Sequence, residues 1–451
     1  MVHKNKEVSL HDIRGGIHPA DEKGMTASVP ARSMPLLEKY IIPLRENIGK
    51  TPRPVVIPGD KVKKGQLLAA PDGFVSCGIH APSSGRILSV DKKIPGAQGV
   101  LVSAIELETD GLEEWDDSLK PIQNWRNADR DLLRKRIMAG GVVGMGGAAF
   151  PTHVKLTPPP AKTIDTLILN GAECEPYLTS DYRLMLEQPE RILEGAAIIA
   201  RILRVTQVYL GIEDNKPEAI SVMKRYADKY NITVAPLPTL YPQGGERQLI
   251  RALTGRFVVA GGLPMDVGCV VDNVGTCAAV YDAVVLGQPL IHRYTTVTGT
   301  ALNRPATLDV RIGTPISELL KECGGVHAPV AKIILGGPMM GFSQADIHVP
   351  TMKNTSGVLL LQKEETLEYI SGPCIRCGRC VDVCPMHLMP GSISVMIEGG
   401  QYARAERSFV MDCMECGCCA YVCPSKRPLV QHFRRAKLEI MTARKAAEQG
   451  K

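Results

Sequence analysis

The chain has 451 residues, a formal net charge of +6, 43 glycines and 33 prolines, and only 4% of its residues are aromatic. This length allows about three domains, and the Gly and Pro content favours β-rich modules and glycine loops over a helical bundle. The mild charge, with no basic patch interleaved with aromatic residues, predicts no nucleic-acid function.

The first hundred or so residues are predicted to be β-rich. Short apolar stretches at 55–57 and 86–90 lie between turns built on Gly and Pro. Residues 1–7 lack the apolar stretch of a signal peptide, and no run reaches the ~18 apolar residues of a spanning helix. We therefore expect a chain that is soluble by itself, with any membrane association made through partner subunits or a surface helix.

Residues 58–68 (PGDKVKKGQLL) and 80–85 (HAPSSG) resemble the lipoyl-like sandwich hybrid of carrier domains. The expected hairpin has no carrier lysine, so a structural or docking module is favoured over a prosthetic-arm domain. Gly15 and Gly16 beside His18 could form a glycine loop with a ligand histidine, but a lone histidine at a turn is more often structural. We place this domain at residues 1–125.

From about residue 130 the pattern changes to alternating helices and strands, which is typical of a doubly wound α/β sheet. We place this domain at residues 126–290. Helices are predicted at 131–139, 189–203 and 216–230, and strands at 163–169, 205–211 and 232–237.

A glycine-rich loop at 140–147 (GGVVGMGG) lies inside this α/β domain. Residues without Cβ let backbone N–H groups approach a phosphate or a flavin ring closely. By itself such a loop is weak evidence, since it could equally be a tight connection. It also lacks the G-x-G-x-x-G order between a strand and a helix, so a plain Rossmann site is not supported.

Two cysteine runs near the C-terminus, at 374–385 and 413–424, each read C-x2-C-x2-C-x3-C-P. Cysteines three apart on a tight loop let three thiolates reach one [4Fe–4S] cluster, and in two-cluster ferredoxins the cysteine before proline serves the other cluster. The predicted ligands are Cys374, Cys377, Cys380 and Cys423 for the first cluster, and Cys413, Cys416, Cys419 and Cys384 for the second. Zinc sites or disulfides are the alternatives, but they rarely carry this proline-terminated spacing twice.

Six further cysteines are scattered through the chain, so a secreted disulfide scaffold is not expected and the compartment is predicted to be reducing. Cys418 lies outside the run pattern and is predicted to be a small buried residue rather than a ligand.

A short predicted strand at 358–362 leads into the cluster domain, which we place at residues 363–451. A helical stretch at 401–409 between the cysteine runs is typical of the helical type of two-cluster ferredoxin. Near the C-terminus, an apolar stripe at helical spacing is formed by Leu429, Phe433, Ala436 and Ile440. Basic residues flank this stripe. Packing on the cluster domain with a solvated basic face is favoured, and docking onto anionic lipid or an acidic redox partner is the alternative.

Four motifs of the α/β domain resemble, in the same order, those of the NADH-oxidising subunit of respiratory complex I. They are GMGGAAFPTHVK (144–155) for its flavin loop, NGAECEP (170–176) for its acidic segment, YPQGGE (241–246) and NVGT (273–276).

Across nearly the whole chain the closer resemblance is to the C subunit of the Rnf electron-transport complex. That family has the same order of domains: sandwich hybrid, flavin domain, a small ligand-binding-type β-grasp domain and a two-cluster domain. Residues 291–362 correspond to the β-grasp domain, for which a structural spacer role is favoured over a ligand site.

The resemblance implies noncovalent FMN with NAD(H) stacked over its ring, beside the two clusters. A flavin is needed there because hydride moves as two electrons whereas a [4Fe–4S] cluster takes one. The glycines would turn backbone amides toward the flavin or nucleotide, and the lysine would neutralise phosphate. The asparagines and the threonine would form hydrogen bonds with the flavin. The glutamates would form hydrogen bonds with the ribose and the nicotinamide, and the phenylalanine would stack on a ring. The implied cofactor-binding residues are Gly144, Gly146, Gly147, Phe150, Lys155, Asn170, Glu173, Glu175, Tyr241, Gly245, Glu246, Asn273 and Thr276.

Some positions depart from the complex I pattern and instead suit the Rnf subtype, so the resemblance carries over to FMN more directly than to NAD(H). In this chain Met145 replaces an arginine of the complex I pattern, Ala148 and His153 replace glycines, Ala172 replaces an acidic residue, and Arg247 and Gly275 replace glutamates.

The resemblance predicts a ferredoxin:NAD oxidoreductase subunit of an ion-transporting complex. It would be peripheral on the cytoplasmic side of the membrane, bound to the membrane and iron–sulfur subunits of the Rnf complex, and linked to ferredoxin only indirectly. A soluble flavin diaphorase subunit and an electron-relay scaffold without flavin are the alternatives.

Overall fold

Two small β-sheets form the N-terminal sandwich in the computed structural model, which describes residues 9–96, 101–366 and 370–449. One sheet has the antiparallel order β2-β8-β7-β4 and the other β3-β5-β6, and they enclose a core that includes Tyr40, Leu68 and Ile105. The elements of this region are α1 (Gly24–Ala27), β1 (Arg32–Ser33), β2 (Lys39–Pro43), β3 (Arg53–Pro54), β4 (Lys61–Val62), β5 (Leu67–Ala70), β6 (Ile79–His80), β7 (Gly85–Pro95) and β8 (Leu101–Thr109).

The prediction of a β-rich sandwich is confirmed, and the predicted strand at 86–90 lies inside β7. The apolar stretch at 55–57 lies outside the strands. β3 ends at Pro54, and beyond it only the Val55 N–H continues the pairing, by donating to the Leu68 carbonyl at 2.9 Å. Pro58, which has no N–H, follows directly and cannot extend a ladder.

A parallel sheet in the order β11-β10-β9-β12 forms the second region. α5 and α8 pack on one face through a core that includes Leu167 and Leu210, and α7 packs on the other against Ile168 and Val271. The elements are α2 (Arg130–Ala139), α3 (Thr152–Lys155), β9 (Thr166–Asn170), α4 (Ser180–Glu187), α5 (Pro189–Leu203), β10 (Gln207–Glu213), α6 (Pro217–Ala227), β11 (Thr233–Leu237), α7 (Glu246–Thr254), β12 (Cys269–Asn273) and α8 (Val274–Tyr281), with short helical turns at Asp228–Tyr230, Pro264–Val267 and Asp282–Leu286. Helices on both faces confirm the doubly wound prediction.

Gly195 sets the distance between α5 and α8. A side-chain carbon at this position would overlap the carbonyl of Cys277, so the two helices cross with their backbones in contact. Because α8 starts directly after β12, this crossing also fixes where the end of β12 lies.

A six-stranded mixed sheet in the order β1-β14-β13-β17-β15-β16 forms the third region. β1 pairs in parallel with β14, so a segment from the N-terminal part of the chain completes this sheet. The predicted strand at 358–362 is β17, shifted by one residue. The elements are β13 (His292–Thr298), β14 (Ala306–Arg311), α9 (Ile316–Glu322), β15 (Lys332–Leu335), β16 (Phe342–Gln344) and β17 (Gly357–Leu361), followed by a turn at Lys363–Glu365.

Short helices around the cysteine loops and one long C-terminal helix form the fourth region. They are α10 (Arg379–Asp382), α11 (Pro390–Glu398), α12 (Tyr402–Arg407), a turn at Val410–Asp412, α13 (Cys418–Tyr421) and α14 (Leu429–Gln449). The predicted stripe of α14 is buried against α11 and α12, which confirms the packing interpretation. Its basic face is partly paired rather than simply solvated, since Arg434 and Lys437 both bond Glu415 at 2.8 Å.

Among the helices in the described ranges, none is long and apolar enough to cross a membrane.

Candidate functional site

The carboxyl ends of β9 and β12 meet at the point where the strand order of the parallel sheet reverses. The two strands are adjacent and in register, with Asn170 opposite Asn273. In open α/β sheets ligands bind at the carboxyl ends of the strands, at this switch point. The sheet therefore brings the two predicted asparagines to one edge.

Both asparagine side chains are fixed by hydrogen bonds. The Asn170 Nδ2 group donates to the Gly244 carbonyl at 2.8 Å, and the Asn273 Oδ1 atom accepts from the Gly275 N–H at 2.8 Å, which caps α8. Asn273 Nδ2 donates to Asp181 Oδ2 at 2.6 Å. Burial, together with the charge of Glu173, raises the pKa of Asp181 to about 7. The carboxyl group of Asp181, whose pKa is close to neutral pH, thus lies at this edge. The sequence motifs did not single it out.

The glycine loop lies against the end of β12. Thr276 Oγ1 accepts from the Met145 N–H at 2.9 Å, and a side-chain carbon at Gly146 would lie 3.3 Å from Asn273 Cβ. Gly147 has a φ of +121° and open space around it, so its conformation favours glycine. The tip at residues 146–148 is exposed, and within the described chain its three amides donate to no protein acceptor. These free donors suit a phosphate or a flavin ring.

Lys155 lies beside β12, and nearby carboxylates balance the charge of its ammonium group. Its Nζ atom donates to the Val271 carbonyl at 2.6 Å and lies 3.5 Å from Glu246 Oε1 and 3.7 Å from Asp272 Oδ1. Burial lowers the pKa of Lys155, but these two carboxylates raise it above its ordinary value. Burial raises the pKa of Asp272 to about 6, and its buried Oδ2 atom has no hydrogen-bond partner in the described chain.

Two of the three predicted glutamates are bonded to backbone amides. Glu173 caps α4, since Oε1 accepts from the Asp181 N–H at 2.7 Å and Oε2 from the Tyr182 N–H at 3.1 Å. Glu175 accepts from the N–H groups of Met339 and Met340, at 3.1 and 2.8 Å, and so ties the acidic segment to the third region. Burial raises the pKa of Glu175 to about 7. The third, Glu246, starts α7 and is partly exposed.

Lys23 supports the acidic segment from 150 residues upstream, and sequence reasoning missed it. Its buried Nζ atom donates to the carbonyls of Glu173, Glu175 and Leu178 at 3.0, 2.8 and 2.5 Å. Burial lowers the pKa of Lys23 from its ordinary value. No local pattern marks this lysine, because its partners are set by tertiary packing alone.

Tyr241 and Gly245 face the cluster region. The Tyr241 hydroxyl donates to the Cys416 carbonyl at 2.7 Å, and Gly245 leaves room for Met414, which would lie 2.8 Å from a side-chain carbon there. Gln248 on α7 donates to the Pro385 carbonyl at 3.2 Å. The loop that begins as YPQGGE therefore joins the parallel sheet to both cysteine runs.

Four cysteines line one small apolar cavity: Cys384, Cys413, Cys416 and Cys419. They are the set predicted for the second cluster, drawn from both runs. Burial raises the pKa of Cys413 to about 12, so the thiolate there needs positive charge to form. An iron–sulfur cluster supplies that charge, because its iron atoms bind deprotonated thiols. Four thiol donors around one site are the donor set that such a group needs.

Cys374 and Cys380 lie together beside the start of α11, where a side-chain carbon at Gly391 would lie 3.6 and 3.4 Å from their sulfurs. Cys377 is exposed. The Gly372 N–H donates to the Ser425 carbonyl at 3.0 Å, which draws the chain next to Cys423 toward the first run. Cys418 is fully buried, as predicted.

Family models match four consecutive parts of the chain. They are described as RnfC Barrel sandwich hybrid domain (residues 11–112), Nuo51 FMN-binding domain (137–282), SLBB domain (294–343) and 4Fe-4S dicluster domain (367–424). The predicted fold classes of all four regions are thereby confirmed.

Two curated relatives are similar over nearly their full lengths. The C subunit of the proton-translocating ferredoxin:NAD(+) oxidoreductase complex of Clostridium ljungdahlii is 48% identical over 96% of this chain and 95% of that protein. The C subunit of the Na(+)-translocating ferredoxin:NAD(+) oxidoreductase complex of Acetobacterium woodii is 44% identical over 96% of this chain and 98% of that protein. A crystal structure of a NAD+-reducing [NiFe]-hydrogenase aligns at a TM-score of 0.49 with 18% identity, covering 70% of this chain and 64% of that chain.

Proposed function

This chain belongs to the C-subunit family of Rnf-type ion-translocating oxidoreductase complexes, and we propose that it is the subunit at which NAD(H) exchanges electrons with the complex. In this role it is the NAD(H)-oxidoreductase part of an enzyme that couples ferredoxin oxidation to ion translocation. The observation that carries the proposal is the exposed glycine tip, whose free amides lie at the switch point of a parallel sheet that Tyr241 and Gln248 join to a cavity lined by four cysteines.

FMN would be held at the switch point. The free amides of residues 146–148 would bind it from one side, and the edge formed by Asn170, Asn273 and Thr276 from the other. Lys155 would offer its ammonium to phosphate on exchanging part of its contact with Glu246. When bound, FMN would exchange one hydride, which carries two electrons, on the NAD(H) side and single electrons on the cluster side.

NAD(H) would bind at the exposed side of the glycine tip. Phe150 would stack there, and Glu246, which is partly exposed, is the carboxylate best able to accept bonds from ribose. Glu173 and Glu175 would contribute only by giving up or sharing their backbone partners, so we assign them the support of the acidic segment first.

Two [4Fe–4S] clusters would be held with exchanged fourth ligands. Cys413, Cys416, Cys419 and Cys384 would hold one, and Cys374, Cys377, Cys380 and Cys423 the other. The set with Cys413 is supported by the shared cavity, and the set with Cys374 by the Gly372–Ser425 hydrogen bond.

The contacts of Tyr241 and Gln248 favour an order of sites along the molecule. Both side chains reach from the parallel sheet to the loops around the shared cavity, which puts that cavity next to the flavin domain. Cys377, a ligand of the other cluster, is exposed, so that cluster would face the partner subunits. In this proposal the chain would sit at the cytoplasmic side of the membrane, attached through the membrane and iron–sulfur subunits, with ferredoxin reached only through them.

The proposal is tested on the full chain, purified without oxygen and reconstituted with iron, sulfide and FMN. We expect about one FMN and about eight iron atoms per chain, and NADH-driven reduction of an artificial acceptor. Thr276→Val, which removes the acceptor for the Met145 amide, should lower the flavin content while leaving iron unchanged. A chain that binds eight irons but no flavin, and does not oxidise NADH, would instead be an electron-relay scaffold.

A further inference from the structure

We propose that Phe74, which belongs to the N-terminal sandwich, forms one wall of the NAD(H) site, and that His153 is the residue that positions it. This inference rests on the proposed function, since it concerns the nucleotide side of the same site. It gives the sandwich domain a direct part in substrate binding.

His153 joins the glycine loop to the sandwich. It lies in α3, three residues after Phe150, and only 3% of its surface is exposed. Its Nε2 atom is 2.9 Å from the Phe74 carbonyl, and the two rings meet edge to face with centroids 5.8 Å apart and an angle of 86°. Burial lowers the pKa of His153, so the neutral ring can donate its Nε2 proton to that carbonyl.

Phe74 nevertheless exposes 58% of its surface. The turn that carries Phe74 is held on both sides. Before it, the Asp72 N–H donates to the Ser76 hydroxyl at 3.0 Å, and after it, the Lys50 N–H donates to the Val75 carbonyl at 2.9 Å and the Ser76 hydroxyl donates to the Lys50 carbonyl at 2.9 Å. Gly49, with a φ of +113°, leaves the space that Val75 fills. An apolar ring that is fixed by its backbone and more than half exposed is suited to contact a ligand.

The same turn region is bonded to the glycine loop itself. The Ile48 N–H donates to the Ala149 carbonyl at 3.1 Å, one residue before Phe150. On the other side of the loop, Asn354 donates to the Gly147 carbonyl at 2.8 Å. The open tip at 146–148 is therefore bordered by the sandwich on one side and the mixed sheet on the other, with Phe74 on the sandwich side.

NAD(H) offers two flat rings, and a ring stacked on an exposed phenylalanine gains affinity without any hydrogen bond. The motif of the complex I subunit has a glycine at the position of His153. A glycine there could not hold a neighbouring domain. The histidine in this chain therefore accounts for how a separate domain can be docked on the nucleotide side of the loop.

The test compares Phe74→Ala with Phe257→Ala in the reconstituted full chain. Phe257 is a matched control because it is 62% exposed and lies under the guanidinium of Arg251. It lies near the amino ends of the strands, where its neighbour Arg256 pairs with Asp165. We expect Phe74→Ala to raise the KM for NADH and the calorimetric Kd for NAD+ about tenfold, equal to about 1.4 kcal/mol, with kcat and flavin content within twofold of wild type. Phe74→Tyr should restore both constants, and Phe257→Ala should change neither.

His153→Leu should shift the same constants in the same direction, and His153→Gln, which keeps a donor, should shift them less. A KM and Kd within twofold of wild type in Phe74→Ala, in a chain whose wild type oxidises NADH, would overturn the inference. A wild-type chain that binds flavin but neither binds nor oxidises the nucleotide would overturn the proposed function as well.

Discussion

Replacing Cys384 with alanine should remove the second cluster, although Cys384 belongs to the first cysteine run. Its sulfur lines the same cavity as Cys413, Cys416 and Cys419, so that cavity would lose its fourth ligand. Each cluster carries four irons, and iron should fall from about eight to about four per chain. Cys418→Ala is the matched control. It removes a buried cysteine from the same region but not from the ligand sets, and should keep about eight irons.

Double variants separate exchanged ligands from unexchanged ones. If ligands are exchanged, Cys374→Ala combined with Cys384→Ala damages both clusters and iron approaches zero, whereas Cys413→Ala combined with Cys384→Ala damages one cluster and leaves about four irons. Iron and acid-labile sulfide per chain, with the spectra of the reduced clusters, give the readout. About four irons in the first double variant and none in the second would refute the exchange.

Four further predictions concern stability and the flavin edge. Burial raises the pKa of Glu46 to about 7, so the folded chain keeps a proton that the unfolded chain releases between about pH 4.5 and pH 7. Glu46 should therefore lower the unfolding free energy by up to about 3 kcal/mol as pH rises through this window, in addition to the falls due to Glu175, Asp181 and Asp272, and Glu46→Gln should remove that share in thermal melts recorded across it. Lys23→Met leaves three carbonyls without their ammonium donor and should cost about 3 kcal/mol by denaturant titration; a loss below about 1 kcal/mol would contradict the buried geometry. Gly195→Ala should destabilise by about 2 kcal/mol in the same titration, because overlap with Cys277 outweighs the gain of about 1 kcal/mol in helix propensity, and a stabilised variant would show that α5 and α8 can separate. Thr276→Val leaves the Met145 amide without its acceptor and should weaken FMN binding about tenfold in a flavin titration, whereas unchanged affinity would mean that the glycine loop holds its shape without this bond.

Local patterns predicted the elements whose signals are local. The bounds of α5 agree with the prediction because Pro189 can start a helix and an apolar stripe continues to Leu203. The four cysteines of the shared cavity followed from ligand spacing. β9 was predicted to start three residues early, since the apolar pattern does not reveal that pairing with β10 and β12 begins only at Thr166.

Contacts between distant segments could not be predicted from the sequence. Lys23 bonds carbonyls about 150 residues away, and Phe74 meets His153 across 79 residues. β1 joins a sheet whose other strands start at His292, so the N-terminal segment serves more than the sandwich. Nothing in the neighbouring residues encodes such partners, because packing of whole domains brings them together.

Adding NADH to the reconstituted chain without oxygen, and recording flavin and cluster absorbance together, tests the central claim most directly. The account predicts that both the flavin and the clusters become reduced, because the flavin edge and the cysteine cavity are joined through Tyr241 and Gln248. Clusters that stay oxidised after NADH, in a chain that holds FMN and whose clusters are reduced by dithionite, would contradict it.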